Sequence, residues 1–339
     1  MKILVTGSAG FVGGYLVKEL LSKGYEVVGI DNYSKYGPVE RDYDQNPNYS
    51  FVKGDCKDVG LMKELASGCD HLIAGAAMIG GITYFHEHAY ELLAENERII
   101  ASTFDAAIDS FRNGGIKKIT VVSSSMVFES CDVYPAPECA TITSPPPKST
   151  YGFQKLATEY FAKGAYEQYS LPYTIVRPFN CIGTGEGRAL SDKDILSGNV
   201  KLAMSHVLPD LAQKALKGQR PLRILGVGDQ VRHYTHGKDL ARGIRLAMES
   251  SNEFNNDFNI STTRSTSVLE LATLVWKEVN GTLPFEYESD PSYEYDVQKR
   301  IPCTEKATRL LGFKTEVSLE DGVKEVVAWI KEQIEAGKM

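Results

Sequence analysis

Two residues four positions apart on a predicted helix carry the side chains needed to remove a proton from an alcohol. Tyr151 and Lys155 form a Tyr-x-x-x-Lys pattern, and i, i+4 spacing places both side chains on one helix face. A nearby ammonium group stabilises a phenolate and lowers the pKa of the tyrosine towards the working range. Such a phenolate can remove a hydroxyl proton while hydride leaves the same carbon. Because this spacing is also common on surface helices, the pair gains meaning only from its surroundings.

A run of serines ends the predicted strand that comes before this helix. The strand covers residues 118–123, and Ser123, Ser124 and Ser125 lie at its carboxyl end. Doubly wound α/β folds bind their ligands at the carboxyl ends of the strands. The sequence therefore predicts serine hydroxyls close to Tyr151 at one edge of a sheet.

A glycine-rich turn near the start of the chain predicts a dinucleotide site. The segment from Gly7 to Gly13 reads G-S-A-G-F-V-G and lies between an apolar strand and a helical stretch. Glycines let the backbone approach a pyrophosphate closely, and the N-terminus of the following helix stabilises its negative charge. The contacts predicted from this turn are Gly7, Gly10, Phe11, Val12 and Gly13.

The second predicted strand ends in an acidic residue that indicates which dinucleotide is bound. The carboxylate of Asp31 can accept hydrogen bonds from the adenosine ribose hydroxyls, and it would repel the 2′-phosphate of NADP. No arginine follows it directly, and Asn32 occupies that position. We therefore predict NAD as the cofactor, with Asp31 and Asn32 among its contacts.

Strand-like and helical segments alternate through the first half of the chain, a pattern typical of a parallel sheet covered on both faces. It predicts an α/β fold with a Rossmann-type doubly wound parallel sheet and a smaller C-terminal α/β substrate-binding region. We assign residues 1–181 and 233–262 to the NAD-binding domain, and residues 182–232 and 263–339 to the substrate-binding region. The substrate would lie in the cleft between them, beneath a predicted lid at residues 183–198.

Composition and charge argue against several classes of protein. The net charge is −7, whereas nucleic-acid phosphates favour basic surfaces. No apolar run is long enough to span a membrane, and the first residues lack a signal peptide, so we expect a cytoplasmic protein. The segment His86-Glu87-His88 offers two histidines that do not share a helix face and no evident third ligand. No metal site is predicted there.

Several motifs in the same order resemble the extended short-chain dehydrogenase/reductase family, specifically its NAD-dependent nucleotide-sugar epimerases and dehydratases. The resemblance covers nearly the whole chain. Its motifs are T-G-S-A-G-F-V-G from Thr6, G-D-C-K-D from Gly54, R-P-F-N from Arg177, G-D-Q-V-R from Gly228 and K-R-I-P around Arg300, together with Ser124, Tyr151 and Lys155. It implies an enzyme of carbohydrate metabolism with a Ser-Tyr-Lys catalytic trio. It also implies a homodimer that pairs through the long helix and the Tyr-bearing helix.

The same resemblance implies roles for individual residues. Further NAD contacts are expected at Asp55, Cys56, Ala76, Ala77, Asn96, Ser123, Tyr151, Lys155 and Pro178. Contacts with a nucleotide-sugar substrate are expected at Gly80, Gly81, Ser124, Ser125, Met126, Tyr151, Asn180, Arg232 and Arg300. Arg232 and Arg300 would clamp the substrate diphosphate, since the guanidinium fork fits phosphate oxygens.

The reaction depends on which acids and bases accompany the trio. Similar dehydratases place Asp-Glu directly after the catalytic residue, and similar decarboxylases place Glu at the second of these positions. Ser125 and Met126 occupy them here, and a thioether cannot exchange a proton. We therefore favour an isomerase that resembles UDP-glucose 4-epimerase and inverts C4 of a UDP-hexose through a transient 4-keto sugar. Decarboxylation and dehydration rank lower, and a non-catalytic NAD-binding regulator ranks lowest.

Two segments favour a different epimerisation. Residues 76–81 resemble the A-A-x-x-G-G loop of GDP-sugar 3,5-epimerases and of the related epimerase/reductases, and residues 205–209 resemble a segment of the latter. Those enzymes use a cysteine where Met126 stands here, and also a lysine or histidine in the substrate region. The candidates for that second group are Lys201, His206 and Lys214. A GDP-sugar 3,5-epimerase or epimerase/reductase is therefore the alternative.

Overall fold

The computed structural model describes residues 1–79, 88–187, 195–197, 200–202, 206–250, 254–291 and 297–339. Its strands in chain order are β1 (Lys2–Thr6), β2 (Glu26–Asp31), β3 (Tyr49–Lys53), β4 (His71–Ala74), β5 (Lys118–Val122), β6 (Tyr173–Pro178), β7 (Cys181–Ile182), β8 (Ile195–Ser197), β9 (Val200–Leu202), β10 (Leu222–Leu225), β11 (Val231–Arg232), β12 (Thr235–His236), β13 (Asn256–Ile260), β14 (Thr266–Ser267) and β15 (Tyr287–Asp290). Its α-helices are α1 (Phe11–Ser22), α2 (Val59–Ser67), α3 (Ala89–Arg112), α4 (Ala140–Thr143), α5 (Thr150–Tyr169), α6 (Val207–Leu216), α7 (Gly237–Glu249), α8 (Val268–Asn280), α9 (Glu305–Leu311) and α10 (Leu319–Glu335).

A seven-stranded parallel sheet forms the centre of the fold, in the order β13-β6-β5-β4-β1-β2-β3. The strands β1 and β4 are almost wholly buried, as expected for a parallel sheet with helices on both faces. Strands are added to one side of β1 as far as β3 and to the other side from β4 onwards. The loops that leave the carboxyl ends of β1 and β4 therefore run in opposite directions, and a crevice lies between them. The predicted Rossmann-type doubly wound fold is confirmed.

Helices pack on both faces of the sheet because each presents one apolar stripe to it. On one face, α2, α3 and α5 pack together over a core that includes Phe104, Ile119 and Ala162. On the other face, α1 and α7 pack over a core that includes Leu20 and Ile244. The Tyr-bearing helix α5 and the long helix α3 are therefore neighbours. No helix within the described ranges is long and apolar enough to cross a membrane.

A second, smaller core lies beyond the carboxyl edge of the sheet. Helices α6, α8 and α10 pack together there, beside the parallel pair β10–β15. The return of β13 to the main sheet beside β6 lies within the segment 233–262 that was predicted to rejoin the NAD-binding domain. Helix α9 lies in the segment assigned to the substrate-binding region, and its Ala307, together with Phe313, packs into the core beneath the main sheet.

Candidate active site

A long cleft crosses the carboxyl edge of the sheet and reaches the substrate-binding region. Its cavity has a volume of about 1300 Å³. Of the predicted contacts that the structure describes, only Asn96 does not line the cleft. Gly80 and Gly81 lie outside the described residues. Those that line it are Gly7, Gly10, Phe11, Val12, Gly13, Asp31, Asn32, Asp55, Cys56, Ala76, Ala77, Ser123, Ser124, Ser125, Met126, Tyr151, Lys155, Pro178, Asn180, Arg232 and Arg300.

The glycine-rich turn has the geometry of a phosphate cradle. Gly7 adopts φ +73°, a left-handed conformation that favours glycine, and a Cβ at Gly13 would overlap the carbonyl oxygen of Gly7. Helix α1 begins directly after the N-cap Gly10, which offers no side chain to its first N–H groups. Those N–H groups and the helix dipole are suited to an anionic ligand. The turn therefore fits the diphosphate of a dinucleotide.

Asp31 lies at the end of β2, where it supports the same turn. One carboxylate oxygen accepts a hydrogen bond from the backbone N–H of Ala9 at 3.1 Å, and the other accepts one from that of Tyr33 at 2.8 Å. The guanidinium of Arg41 donates to the carbonyl of Ala9 at 3.2 Å, a contact that the sequence pattern did not predict. The glycine cradle and an acidic residue at this strand end fit NAD.

The loop after β4 forms the opposite wall of the phosphate site. The hydroxyl of Thr6 accepts hydrogen bonds from the backbone N–H groups of Gly75 and Ala76, both at 3.0 Å. The side chain of Asn96 accepts from the N–H of Met78 at 2.6 Å and donates to its carbonyl at 2.9 Å. Asn96 is buried behind this loop, so it holds the loop in place instead of lining the cleft.

Asp55 and Cys56 lie at the end of the cleft formed by the loop after β3. The carboxylate of Asp55 accepts a hydrogen bond from the N–H of Lys57 at 2.9 Å. Burial raises the pKa of the Cys56 thiol to about 12. The thiol is therefore neutral at physiological pH and forms a small apolar surface.

The predicted catalytic trio comes together at the centre of the cleft. Tyr151 lies in the first turn of α5, and Ser124 caps a 3₁₀ turn that follows β5 (Ser125–Phe128). The Ser124 hydroxyl accepts a hydrogen bond from the N–H of Met126 at 3.2 Å and is hydrogen-bonded to the Tyr151 side chain. Lys155 donates to the carbonyl of Val122 at 3.3 Å, and its ammonium lies 6.0 Å from the Tyr151 ring centroid.

Burial and polar contacts act on Tyr151 in opposite directions. Burial raises the pKa of the Tyr151 phenol above its ordinary value, and the hydrogen bond with Ser124 and the charge of Arg300 offset only part of this rise. The lowered tyrosine pKa expected from the sequence is therefore not seen in the structure. Burial lowers the pKa of the Lys155 ammonium to about 8. Each contact that favours the phenolate prepares Tyr151 to accept a proton.

The other two residues of the serine run differ from Ser124 and from each other. The Ser123 hydroxyl donates to Glu159 at 2.7 Å within the buried core, so its side chain is not available to a cofactor. Ser125 and Met126 are buried in the 3₁₀ turn and line the cleft. Met126 thus presents an apolar thioether to the cleft at this position.

The loop after β6 contributes the predicted contacts Pro178 and Asn180. Asn180 adopts φ +36° and its carbonyl accepts a hydrogen bond from the N–H of Thr235 at 3.1 Å. Its side-chain amide donates to the carbonyl of His233 at 3.5 Å. These bonds tie the end of β6 to the segment that enters α7, and they present Asn180 to the cleft.

The predicted arginines Arg232 and Arg300 both line the cleft. Arg232 ends β11 and donates from its guanidinium to the carbonyls of Val231 and Gln298, at 3.0 and 3.2 Å. The N–H of Arg300 donates to the carbonyl of Val231 at 3.1 Å. The two side chains therefore come from neighbouring chain segments, although 68 positions separate them in sequence.

The structure adds two cleft carboxylates that the motifs did not single out, Glu186 and Glu129, and brings the first of them to the predicted candidate His206. The carboxylate of Glu186 is buried and contacts Nδ1 of His206, which lies directly before α6. Burial opposes ionisation of Glu186, but His206 and the charge of Lys35 outweigh it and lower the pKa of the carboxyl. Glu129 lines the cleft and accepts hydrogen bonds from the N–H and hydroxyl of Ser149, the N-cap of α5, at 2.8 and 2.9 Å.

Metal coordination has no support in the part of the chain that the structure describes. No group of three or more His, Cys, Asp or Glu side chains there could hold a metal ion. His86 and Glu87 of the His-x-His segment lie outside the described residues.

A Rossmann-type sheet, a glycine phosphate cradle and a Ser-Tyr-Lys trio in one cleft define a short-chain dehydrogenase/reductase type of protein. A sequence model of the NAD dependent epimerase/dehydratase family matches residues 3–261. The chain belongs to this family, and its cofactor is NAD, as the cradle and Asp31 predicted.

Individual relatives share the full length of the chain. A putative UDP-glucose 4-epimerase of Methanocaldococcus jannaschii is 29% identical over 331 residues, covering 97% of this chain and 98% of the relative. The structure of a Thermotoga maritima UDP-glucose 4-epimerase with UDP-glucose is similar, with a TM-score of 0.81, 29% identity and coverage of 98% and 100%. A dTDP-glucose 4,6-dehydratase of Streptomyces venezuelae shares the fold with a TM-score of 0.84 at 23% identity, covering 99% of this chain and 98% of the dehydratase.

Proposed function

We propose that this protein is an NAD-dependent nucleotide-sugar epimerase that inverts C4 of a UDP-hexose. One observation carries the proposal: Tyr151, Ser124 and Lys155 meet in the cleft, while Met126 occupies the position of the additional acid. Inversion at C4 through a 4-keto sugar needs one acid/base group and no second one. The full-length similarity to UDP-glucose 4-epimerases supports this assignment.

Each member of the trio has a distinct task in this reaction. Tyr151 removes the proton of the sugar 4-hydroxyl and later returns it. Ser124 hydrogen-bonds the phenolate and the reacting oxygen, so that both stay within reach of each other. Lys155 supplies positive charge beside the Tyr151 ring and favours the phenolate. NAD, when bound, supplies the acceptor and donor of hydride at C4.

The remaining cleft residues hold the two ligands. The turn from Gly7 to Gly13 and Asp31 would bind NAD by its diphosphate and its adenosine ribose. Arg232 and Arg300 would bind the substrate diphosphate, because guanidinium groups form paired hydrogen bonds with phosphate oxygens. Asn180 would contact the phosphates or the proximal sugar. The diphosphate fixes one end of the substrate while the sugar lies beside Tyr151.

Glu129 is a carboxylate in the cleft that could serve as the additional acid of a dehydration reaction. It lies near Met126, but two donors of Ser149 already engage one of its oxygens at the start of α5. This arrangement is that of a carboxylate at a helix N-terminus, where it is electrostatically favourable. We therefore propose that Glu129 stabilises the start of α5, and we favour epimerisation over dehydration and decarboxylation.

The pair of His206 and Glu186 supports a second candidate, a GDP-sugar 3,5-epimerase or epimerase/reductase. Epimerisation beside a ketone needs a second acid/base group, and a histidine oriented by a carboxylate is suited to that role. His206 lines the same cleft as Tyr151. Met126, which replaces the cysteine of those enzymes, keeps this function second.

We also propose a homodimer that pairs through α3 and α5. These helices pack side by side, and each exposes aromatic side chains, including Tyr90 and Phe153. Exposed aromatic residues are enriched at protein interfaces. Light scattering should give a mass close to twice the 37.4 kDa of the chain, whereas a monomer mass would exclude the dimer.

The decisive experiment incubates the enzyme and NAD with UDP-glucose, UDP-N-acetylglucosamine, UDP-glucuronate, GDP-mannose and GDP-4-keto-6-deoxymannose, in H₂O and in D₂O, with NMR detection. We expect a UDP-sugar inverted at C4 without solvent deuterium. The Tyr151→Phe variant should lose turnover and keep NAD binding, while Tyr160→Phe on an exposed part of the same helix should keep both. A GDP-sugar labelled at C3 or C5 would establish the second candidate instead.

A further inference from the structure

A fully buried carboxylate on the Tyr-bearing helix connects it to the strand that carries Ser124. Glu159 follows Tyr151 by eight positions and Lys155 by four, so all three lie on one face of α5. The Glu159 side chain is 0% exposed, and glutamate is rarely buried to this extent unless it is paired. One of its oxygens accepts the hydrogen bond from the Ser123 hydroxyl at 2.7 Å.

The partner that compensates this buried charge is Arg177 on β6. Its guanidinium donates to both oxygens of Glu159, at 2.8 and 2.7 Å, and its side chain is also fully buried. Asp257 lies 2.7 Å from the same guanidinium, and Lys306 lies 2.7 Å from Asp257. The charges therefore alternate in sign, which a buried ionic group requires to be tolerated. We call Ser123, Glu159, Arg177 and Asp257 the polar anchor.

The polar anchor reaches both ends of the turn that Ser124 begins. Ser123 is bonded to Glu159 at the start of the turn, and the N–H of Ser123 donates to the carbonyl of Val176 at 2.8 Å. Phe128, the last residue of the turn, lies with its ring centroid 5.1 Å from the guanidinium carbon of Arg177. Two contacts from one rigid, buried group thus fix the short segment between them.

From this arrangement we infer that Ser123 and Glu159 are positioning residues, which hold the Ser124 hydroxyl against Tyr151. Ser124 lies on the loop after β5, whereas Tyr151 lies on α5, and these two elements could shift relative to each other. The Ser123–Glu159 hydrogen bond joins the same two elements one residue away from Ser124. The inference rests on the proposed function, because it gives Ser124 and Tyr151 their catalytic roles.

A double-mutant cycle tests whether Ser123 acts through Ser124. The variants are Ser123→Ala, Ser124→Ala and the double variant, each assayed as NAD-bound enzyme for kcat and KM. We expect Ser123→Ala to lower kcat roughly 10-fold, because a slight misplacement of a reacting group is costly, with KM little changed. In the Ser124→Ala background the same change should have almost no effect on kcat. Equal losses in both backgrounds would overturn the inference.

A substrate-independent measurement separates this inference from the proposed function. The absorbance difference between each variant and its Tyr151→Phe counterpart, followed against pH with NAD bound, reports the ionisation of Tyr151. Ser123→Ala should raise the pKa of Tyr151, because the Ser124 hydrogen bond that lowers it would weaken. If no sugar is converted, the proposed function fails, but the titration still tests whether the polar anchor positions Ser124 against Tyr151. A pKa of Tyr151 that is the same in Ser123→Ala and wild type would refute this positioning role.

Two further variants guard against a purely structural effect. Ser110 is a buried serine on α3 that donates to the carbonyl of Ala66 at 2.9 Å, remote from the catalytic trio. Ser110→Ala should lower the melting temperature but leave kcat and the Tyr151 titration unchanged. Ser123→Cys fills the same space with a weak donor and should shift the titration less than Ser123→Ala. If Ser123→Ala does not fold, an unshifted Tyr151 titration in Ser123→Cys refutes the inference.

Discussion

The hydrogen bond between Ser124 and Tyr151 makes a prediction about the pH dependence of catalysis. The Ser124 oxygen accepts the N–H of Met126, which leaves its own hydrogen to be donated to the tyrosine oxygen. A donor favours the phenolate over the phenol, so this bond lowers the pKa of Tyr151. Replacing Ser124 with alanine removes the donor and should raise that pKa.

The size of the change follows from the charge on the acceptor. A hydrogen bond to a charged group contributes about 1.5–3 kcal/mol, and one pKa unit corresponds to about 1.36 kcal/mol. The pKa of Tyr151 should therefore rise by about 1–2 units in Ser124→Ala. Where kcat depends on the phenolate fraction, below the tyrosine pKa, kcat should fall roughly 10- to 100-fold. The loss should shrink as the pH rises and the phenolate re-forms.

The assay is the pH dependence of kcat for epimerisation, measured with saturating substrate. The acid limb of the profile should move to higher pH in Ser124→Ala and return towards the wild-type position in Ser124→Thr, which restores a hydroxyl. A loss of kcat that is the same at every pH would refute the reasoning. Ser124 would then act only on the sugar oxygen and have no influence on the ionisation of Tyr151.

Three more predictions concern the cofactor turn, a buried lysine and the second candidate function. Gly13→Ala should weaken NAD binding at least roughly 10-fold in calorimetry, because the new Cβ would overlap the Gly7 carbonyl oxygen. Gly164→Ala is the control, because no atom lies within 4 Å of the new Cβ, and it should leave NAD binding unchanged. Burial lowers the pKa of Lys118 to about 8 in the folded protein, below the unfolded value of about 10.4. Between these two pH values the unfolded chain binds more protons than the folded protein, so the melting temperature of the wild type should rise from about pH 8 to about pH 10. The rise should be less steep in Lys118→Met. His206→Asn should keep the rate of C4 epimerisation of a UDP-hexose within a few-fold, since Tyr151 alone exchanges protons in that reaction. Loss of turnover with retained NAD binding would show that His206 takes part in the chemistry, as the GDP-sugar candidate requires.

Periodic and local features of the sequence were sufficient to predict the fold and the cofactor. The alternation of strands and helices depends on burial over five or six residues, which the apolar pattern reports directly. The glycine turn depends on steric limits at single positions, and Asp31 lies next to it because the strand length fixes the register. Tyr151 and Lys155 share a helix face through their spacing alone. These features need no knowledge of the tertiary structure.

Contacts between distant segments could not be read in the same way. Nothing in the sequence pairs Glu186 with His206 or Arg41 with Ala9, because each contact depends on how loops of irregular conformation cross the cleft. Asn96 was expected to contact NAD because of its place in the family pattern. Its side chain satisfies both backbone groups of Met78, and this pairing follows only from the approach of α3 to that loop.

The serine run shows where the two kinds of information diverge. The strand pattern alone places Ser123, Ser124 and Ser125 at the end of β5, and only the family resemblance favours Ser124 among them. The buried Glu159 removes Ser123 from this choice, because a carboxylate in the core needs donors and takes the Ser123 hydroxyl as well as the guanidinium of Arg177. Of the two remaining serines, Ser124 is the one whose hydroxyl acts on Tyr151. The charge buried eight residues along the helix therefore engages Ser123 and agrees with Ser124 as the serine that we propose for catalysis.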